Sequence, residues 1–466
     1  MKLKKRLLAV CGVLCLVTIL AGCSFGLGSG SSGGLANGGS SEVGSSSVPD
    51  DLPLTSDTSS ENSSGGSNED SSVDGNYQGT EGLIFEMDSS NSYKVQGYNG
   101  TATEVIIPNV YANKPVAGIA NRAFYGCSNL TSVVIPNSVI AIGDSAFEDC
   151  SNLKSVVLPE GLLRIGRSAF SRCENLTNVE LPSSMTKIDT RAFFGCKALT
   201  SVVIPSGVTG IWSSTFDSCS GLVSVVISEG VTEIGFAAFH NCAELKNMVI
   251  PESVTIIRAS AFYNCKKLEF NVYDNACYLG NASNPYHVLI QPISKKITSC
   301  EIHPQTKIIY DFGLAGCSLL ENVTIPNGVI SIGGNAFYYC AAMTKLVIPD
   351  SVITIGEYAF TDCKSLMEVQ IGKGITSIGE YAFCACENLM SFEFVGDITN
   401  IDEGVFARCM NLTRIVIPDS VTSIGSYAFS ECSKLTIYCE AESKPSDWSS
   451  SWNSSNCPVE WGYRGE

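Results

Sequence analysis

One phrase returns along this chain at a fixed step, and that constrains its fold more than any other feature. Ala-Phe-x-x-Cys or a close variant places Phe at 124, 147, 170, 193, 216, 239 and 262, then Leu314, then Phe at 337, 360, 383, 406 and 429. Inside each block the step is 23 residues, and the step of 52 between the blocks equals two periods plus six residues. So one turn is longer than the rest and no foreign domain intervenes. A period this short is a supersecondary unit that cannot bury its own apolar face, so the chain must stack its copies into a solenoid. A length of 466 residues therefore does not imply several globular domains.

One turn runs from Cys127 to Phe147 as CSNLTSVVIPNSVIAIGDSAF. Leu130, Val133 and Ile135 have the spacing that turns three apolar side chains inward along a short strand and its approach. Pro136 ends the strand because it lacks the N–H a ladder needs. Val139 and Ile142 form a second apolar pair, Gly143 opens a turn, and Ala146-Phe147 start a short turn or helical return. The expected fold is a mainly β, leucine-rich-repeat-type, right-handed stack of 23-residue rungs with a parallel sheet. Residues 79–129 form an N-terminal cap and a first irregular rung, 130–440 the solenoid with a long rung at 268–296, and 441–466 the C-terminal cap. Leu83-Ile84-Phe85 and Tyr93-Lys94-Val95 flank a Ser/Asn turn and predict a capping hairpin. At the far end Leu435, Ile437 and Cys439 alternate as a last strand. Pro445 is placed to start a short helix carrying Trp448 and Trp452, which with Trp461 make a hydrophobic plug.

The recurring phrase, seen in one copy as Ile135-Pro136, Val139, Ile142-Gly143, Ala146-Phe147, Cys150 and Leu153, resembles the BspA-like leucine-rich repeat surface proteins. The resemblance spans roughly residues 80–466. It implies an exported bacterial protein, similar in some cases to adhesins that bind host matrix proteins or other cells.

The N-terminus reads as a targeting signal. MKLKKR is basic, and Leu7 to Ala21 is an apolar run of 15 residues. A spanning helix needs about 20, so a cleaved leader is expected over residues 1–22. Leu20-Ala21-Gly22-Cys23 resembles the bacterial lipoprotein box, which makes Cys23 the lipidation site. Two acyl chains would hold the protein to the membrane where one would not. Residues 24–78 carry eight acids and no Lys or Arg among Gly, Ser and Asn, so 23–78 is expected to be a disordered tether. The net charge of −17 argues against nucleic acid or anionic lipid as a main partner, leaving the lipid anchor as the membrane contact. An extracytoplasmic, lipid-anchored, surface-exposed protein follows.

Thirteen of the 21 cysteines belong to the repeated phrase. Neighbouring copies point the same way and are odd in number, so a ladder of buried thiols packed as small apolar groups is expected rather than disulfides. Cys439 and Cys457 stand outside that column and could pair. No metal motif, GxSxG, HExxH or phosphate loop occurs, and His240, His287 and His303 are scattered. No catalytic residue, metal ligand or cofactor is expected, and the chain reads as a binding protein, not an enzyme.

Two surfaces are candidates for binding. In each strand the residue between the second and third inward positions faces out. Val134, Val157, Val203, Val226 and Val249 make that column, and Ser201, Ser224 and Asn247 make a polar column two residues earlier. Val and Thr also favour strands for their own sake. The long rung is the secondary candidate, through Tyr278, Asn281, Tyr286 and His287, unless it is a structural splice. The expected partner is a protein ligand, such as host matrix or another cell surface, with cell-envelope polysaccharide as the alternative.

Overall fold

The computed structural model describes residues 79–396 and 398–465. The leader, Cys23 and the tether lie outside those residues.

The chain winds as a β-solenoid whose turns repeat every 23 residues, with no helix among the described residues. Each regular turn has three sides. The first carries the strand foreseen from Leu130, Val133 and Ile135. Ser132–Val134 pairs in parallel with Ser155–Val157, and Ser201–Ile204 with Ser224–Ile227 and then Asn247–Val249, all in register. The second side carries a two-residue strand, and these form a second parallel ladder: Ala141–Ile142 beside Arg164–Ile165, Gly210–Ile211 beside Glu233–Ile234. The apolar pair Val139 and Ile142 foretold burial here but not a sheet. Leu130, Val133, Ile135, Val139, Ile142 and Phe147 are all at most 3% exposed.

The third side is neither strand nor helix. Residues 143–150 form successive turns. Glu148 N–H and Cys150 N–H donate back to Ser145 and Phe147 carbonyls at 3.1 and 3.2 Å. The alternate donors Ser145, Phe147 and Asp149 reach forward to the next turn's Arg167, Ala169 and Ser171 carbonyls at 2.7, 2.7 and 2.9 Å. This alternation requires left-handed backbone at Ser145 (φ 54°) and Asp149 (φ 64°). Such a conformation costs roughly 1–2 kcal/mol for an L residue. A fully buried Phe gains roughly 1.5–3 kcal/mol and the forward hydrogen bonds add to it. The glycine before this segment is required by close approach: a Cβ on Gly143 would lie 2.6 Å from the Asn121 nitrogen.

The Phe side chains form a stack through the middle of the molecule. From Phe124 to Phe262 successive ring centroids are 4.9–6.2 Å apart with interplanar angles of 2–13°. From Phe337 to Phe429 the separations are 5.1–5.9 Å. Tyr98 closes one end, 5.5 Å from Phe124, and Trp452 closes the other edge-on, 5.9 Å from Phe429.

The caps follow from what each open end exposes. β1 (Leu83–Met87) and β2 (Tyr93–Tyr98) form the antiparallel hairpin, and β2 extends the second-side sheet in parallel. After β3 (Glu104–Ile106), the extra residues of the first rung form a small antiparallel hairpin of β4 (Val110–Tyr111) and β5 (Lys114–Ile119). At the other end Trp448 and Trp452 are 2% and 6% exposed, while Trp461 is 36% exposed. No helix follows Pro445. That stretch is turns tied down by Trp448 Nε1–H to the Val421 carbonyl at 3.3 Å. A further strand, Val459–Trp461, pairs in parallel with Thr436–Cys439.

The long rung interrupts both ladders. The first-side strands stop at Asn247–Val249 and resume at Ser299–Glu301; the second-side strands stop at Ile256–Ile257. Between them Asn271–Tyr273, Ala276–Leu279 and Val288–Pro292 form an antiparallel meander, whose last strand starts the second ladder by pairing with Ile308–Ile309. The buried side chains fall into two large clusters that meet within this rung, Leu279, Val288 and Ile290 joining the first and Ala276, Tyr278 and Leu289 the second.

Candidate binding surface

The outward residues of the first-side strands lie where alternation puts them. Val134, Val157, Val203, Val226 and Val249 are 38–57% exposed, and Ile106 joins the column at 52%. The parallel register aligns Val134 on Val157, and Val203 on Val226 on Val249. Neighbouring strands lie about 4.8 Å apart, so each row is a continuous stripe. Ser201, Ser224 and Asn247 align in the same way beside it, two residues earlier. Strand propensity alone would account for Val here, but large apolar patches open to water are uncommon on monomers. Only Glu180 interrupts the stripe between Ile106 and Val249, and it sits at the turn where strand pairing thins to a single bridge from Ser155 to Asn178.

Beyond the long rung the same column changes character. It reads Glu301, Thr324, Val347, Gln370, Glu393 and Val416. Lys345 and Glu368 pair at 3.1 Å across neighbouring strands, and Gln370 donates to Glu368 at 2.8 Å. The two blocks thus present different surfaces from one repeat: apolar with small hydroxyls in the first, and in the second a mixed face where carboxylates and an amide stand among the valines.

The long rung holds its polar residues inward. Tyr278 is fully buried, and its hydroxyl accepts the His303 N–H at 3.3 Å. His287 is 1% exposed with Nε2 2.9 Å from the Val254 carbonyl, and burial holds its pKa below the usual value, so the ring is neutral at pH 7. Asn281 folds the turn by accepting from Ser283 and Asn284 N–H at 2.9 Å each. Tyr286 is half-buried and stacks on His303 with centroids 3.9 Å apart. Tyr278 and His287 therefore lock the splice internally, and Tyr286 alone of the four keeps an aromatic face near solvent.

The thiol column is more than apolar filling. Along most of the column the Sγ donates to the carbonyl 26 residues earlier: Cys150 to Phe124 at 3.1 Å, Cys219 to Phe193 at 3.1 Å, Cys340 to Leu314 at 3.3 Å and Cys432 to Phe406 at 3.0 Å. Cys457 belongs to this column. Its step is 25 residues, and its Sγ donates to the Cys432 carbonyl at 3.3 Å. It is therefore a rung of the ladder and not a partner of Cys439; both are free thiols. Burial pushes the Cys150 and Cys363 thiols up to about 12, which keeps them protonated and unreactive at neutral pH. Among the described residues no group of three or more His, Cys, Asp or Glu is arranged to hold a metal ion, and no helix is long and apolar enough to cross a membrane.

Residues 117–243 and 307–436 match the family model described as the BspA type leucine rich repeat region, in six copies. A leucine rich cell surface protein from Faecalibacterium prausnitzii is 31% identical, covering 83% of this chain and 98% of its own, at a TM-score of 0.41. A leucine-rich repeat protein from Bacteroides ovatus is 27% identical over 82% of this chain and 98% of its own, at 0.44. The T. pallidum leucine rich repeat protein is 32% identical over 40% of this chain and 88% of its own, at 0.39. No curated protein matches.

Proposed function

The chain belongs to the BspA-type leucine-rich repeat family, and from that premise we propose that it is a cell-surface lipoprotein that captures protein ligands on the first-side sheet of its first block, in adhesion or cell contact. The observation that carries this reading is the in-register stripe of exposed Val134, Val157, Val203, Val226 and Val249 flanked by Ser201, Ser224 and Asn247. A flat, ordered face of this kind buries apolar area without first ordering flexible loops, which lowers the entropic cost of association. The buried, protonated thiols of Cys150 and Cys363 and the buried His287 support action by binding and not by catalysis. The lipobox at Cys23 supports anchoring at the outer face of the membrane, with residues 24–78 as the spacer. Incubating the purified mature chain with extracellular-matrix proteins and with cell-wall polysaccharides tests it. Saturable binding to a protein is expected; binding to polysaccharide alone would overturn the protein-ligand reading.

A further inference from the structure

The turn-side ladder ends at the long rung, and it ends on a cluster that no packing role explains. In the residue column one step past the stacked Phe, the last three turns of the first block carry Asp217, His240 and Tyr263. The His240 ring lies on the Tyr263 ring with centroids 5.4 Å apart and planes 16° from parallel. Its Nδ1 is 3.0 Å from Asp217 Oδ1 and 3.0 Å from Asn241 Nδ2, and Asn264 Nδ2 donates to Asn241 Oδ1 at 2.7 Å. The side chains are thus held in fixed rotamers before any ligand arrives.

Two consequences of the interrupted stack leave this cluster open. Tyr263 is 59% exposed, more than any other aromatic residue among those described, so the ring face away from His240 meets water. In earlier turns the N–H of the next column reaches forward, Ser218 to the His240 carbonyl at 2.8 Å and Asn241 to the Tyr263 carbonyl at 2.9 Å. The Asn264 N–H makes no such bond among the described residues, because the following turn takes the antiparallel path. A bare aromatic face, a free backbone donor and a fixed row of amides stand side by side.

Charge adds a third element. Lys266 and Lys267 follow Cys265, and Lys295 and Lys296 occupy the corresponding positions of the next turn. Lys267 is paired with Glu244 at 2.5 Å, and Lys295 donates to the Ala315 carbonyl at 2.5 Å. Neither Lys266 nor Lys296 has a carboxylate within 4.0 Å among the described residues, in a chain with 46 acids against 29 bases. Lys266 lies three residues from Tyr263, the most exposed aromatic ring among the described residues.

We propose that this edge is a binding site for acidic saccharides. The C–H face of a pyranose is apolar and flat and rests on an exposed tyrosine ring, while its equatorial hydroxyls point outward to amide and carboxylate groups. Here the Asn264 N–H and the Asn241 and Asn264 amides supply those partners, Asp217 holds the His240 ring behind Tyr263, and Lys266 and Lys296 take the carboxylate or sulfate of a uronate or sulfated unit. Both the position and the ligand class differ from the protein-binding face, so the two can be tested apart.

The experiment is titration calorimetry of the full mature chain with a galacturonate hexamer, maltohexaose and single-stranded RNA as probes. Tyr263→Ala is a safe variant because its column already holds Glu148, Ser171 and Thr361. The galacturonate hexamer is expected to bind, and maltohexaose to bind at least about tenfold more weakly. Tyr263→Ala is expected to lose about tenfold or more in affinity, and the Lys266→Glu/Lys296→Glu double variant to lose as much, with unchanged circular dichroism. Val226→Lys should leave this binding unaltered. Absence of galacturonate binding at millimolar concentration would overturn the proposal. So would binding insensitive to Tyr263→Ala, or equal affinity for RNA, since either marks a nonspecific polyanion patch.

Discussion

Removing one ring from the aromatic stack should weaken one half of the solenoid and spare the other. Phe216 is fully buried between Phe193 at 5.4 Å and Phe239 at 5.5 Å, with planes within 3° of parallel. Phe216→Ala removes that side chain where neighbouring turns, fixed by two parallel ladders, have little room to collapse, so the cost is about 3–5 kcal/mol. In a stacked array stability is roughly a sum of turns and nearest-neighbour interfaces, so the loss spreads along paired strands. Those ladders end at Val249 and Ile257, and the two buried clusters meet within the long rung that follows. Hydrogen exchange read by mass spectrometry separates the two halves. Amides of Val202, Val225 and Phe239 should exchange faster by a factor of about 10² to 10⁴. Those of Ile332, Phe360 and Ile401 should stay within about threefold of the parent. Equal acceleration throughout would refute the reasoning and make the long rung a full mechanical and energetic continuation of the stack.

Other outcomes follow from the thiols and the anchor. Denatured, unreduced protein should titrate every ladder thiol from Cys127 to Cys432, and Cys457 with them; a finding of pairs by mass mapping would contradict the hydrogen-bonded ladder. Cys219→Ala should cost only about 1 kcal/mol in urea unfolding, because one small buried group is lost and the Phe193 carbonyl keeps the Cys196 N–H. Burial raises Cys150, Cys300, Cys363 and Cys432 to about 12, above about 8.5 for an unfolded thiol, so the native state holds protons that the unfolded chain releases. That stability is complete below about pH 8.5 and is lost as pH rises towards about 12, so the urea midpoint should fall between pH 7 and pH 10; a constant midpoint would contradict it. Cys23→Ser should leave an unlipidated precursor, and continued fatty-acid labelling would exclude the anchor.

What the sequence made legible was whatever repeats. The columns of Leu130, Val133, Ile135 and Phe147 announce the solenoid because each is buried only by its own copies, and the outward Val column follows from alternation. The third side was hidden because left-handed backbone is usually signalled by glycine, and here Ser145, Asp149, Arg172 and Tyr358 adopt it, held by hydrogen bonds to the next turn. Cys457 was hidden by its 25-residue step. Tyr278 and Tyr286 look alike in sequence, yet one is fully buried and the other half-buried, a difference set by antiparallel pairing that carries no periodic signal. Tyr263 and His240 occupy a column that varies from turn to turn. Only the end of the ladder, a fact of three dimensions, gives them an open face.

The proposed protein-binding surface is the first-block sheet face. Val226 stands at its centre, in register with Val203 and Val249, while Leu222, Val225 and Ile227 on the same stretch point into the core and are at most 2% exposed. Val226→Lys places a cation within the apolar stripe and leaves the core untouched, so stability should change by less than about 1 kcal/mol. Surface plasmon resonance against the captured protein partner is the direct measurement. A loss of about 2 kcal/mol or more in binding is the expected result. Undiminished affinity, with a parallel loss in a Tyr286→Ala variant, would contradict the claim and move the surface to the long rung.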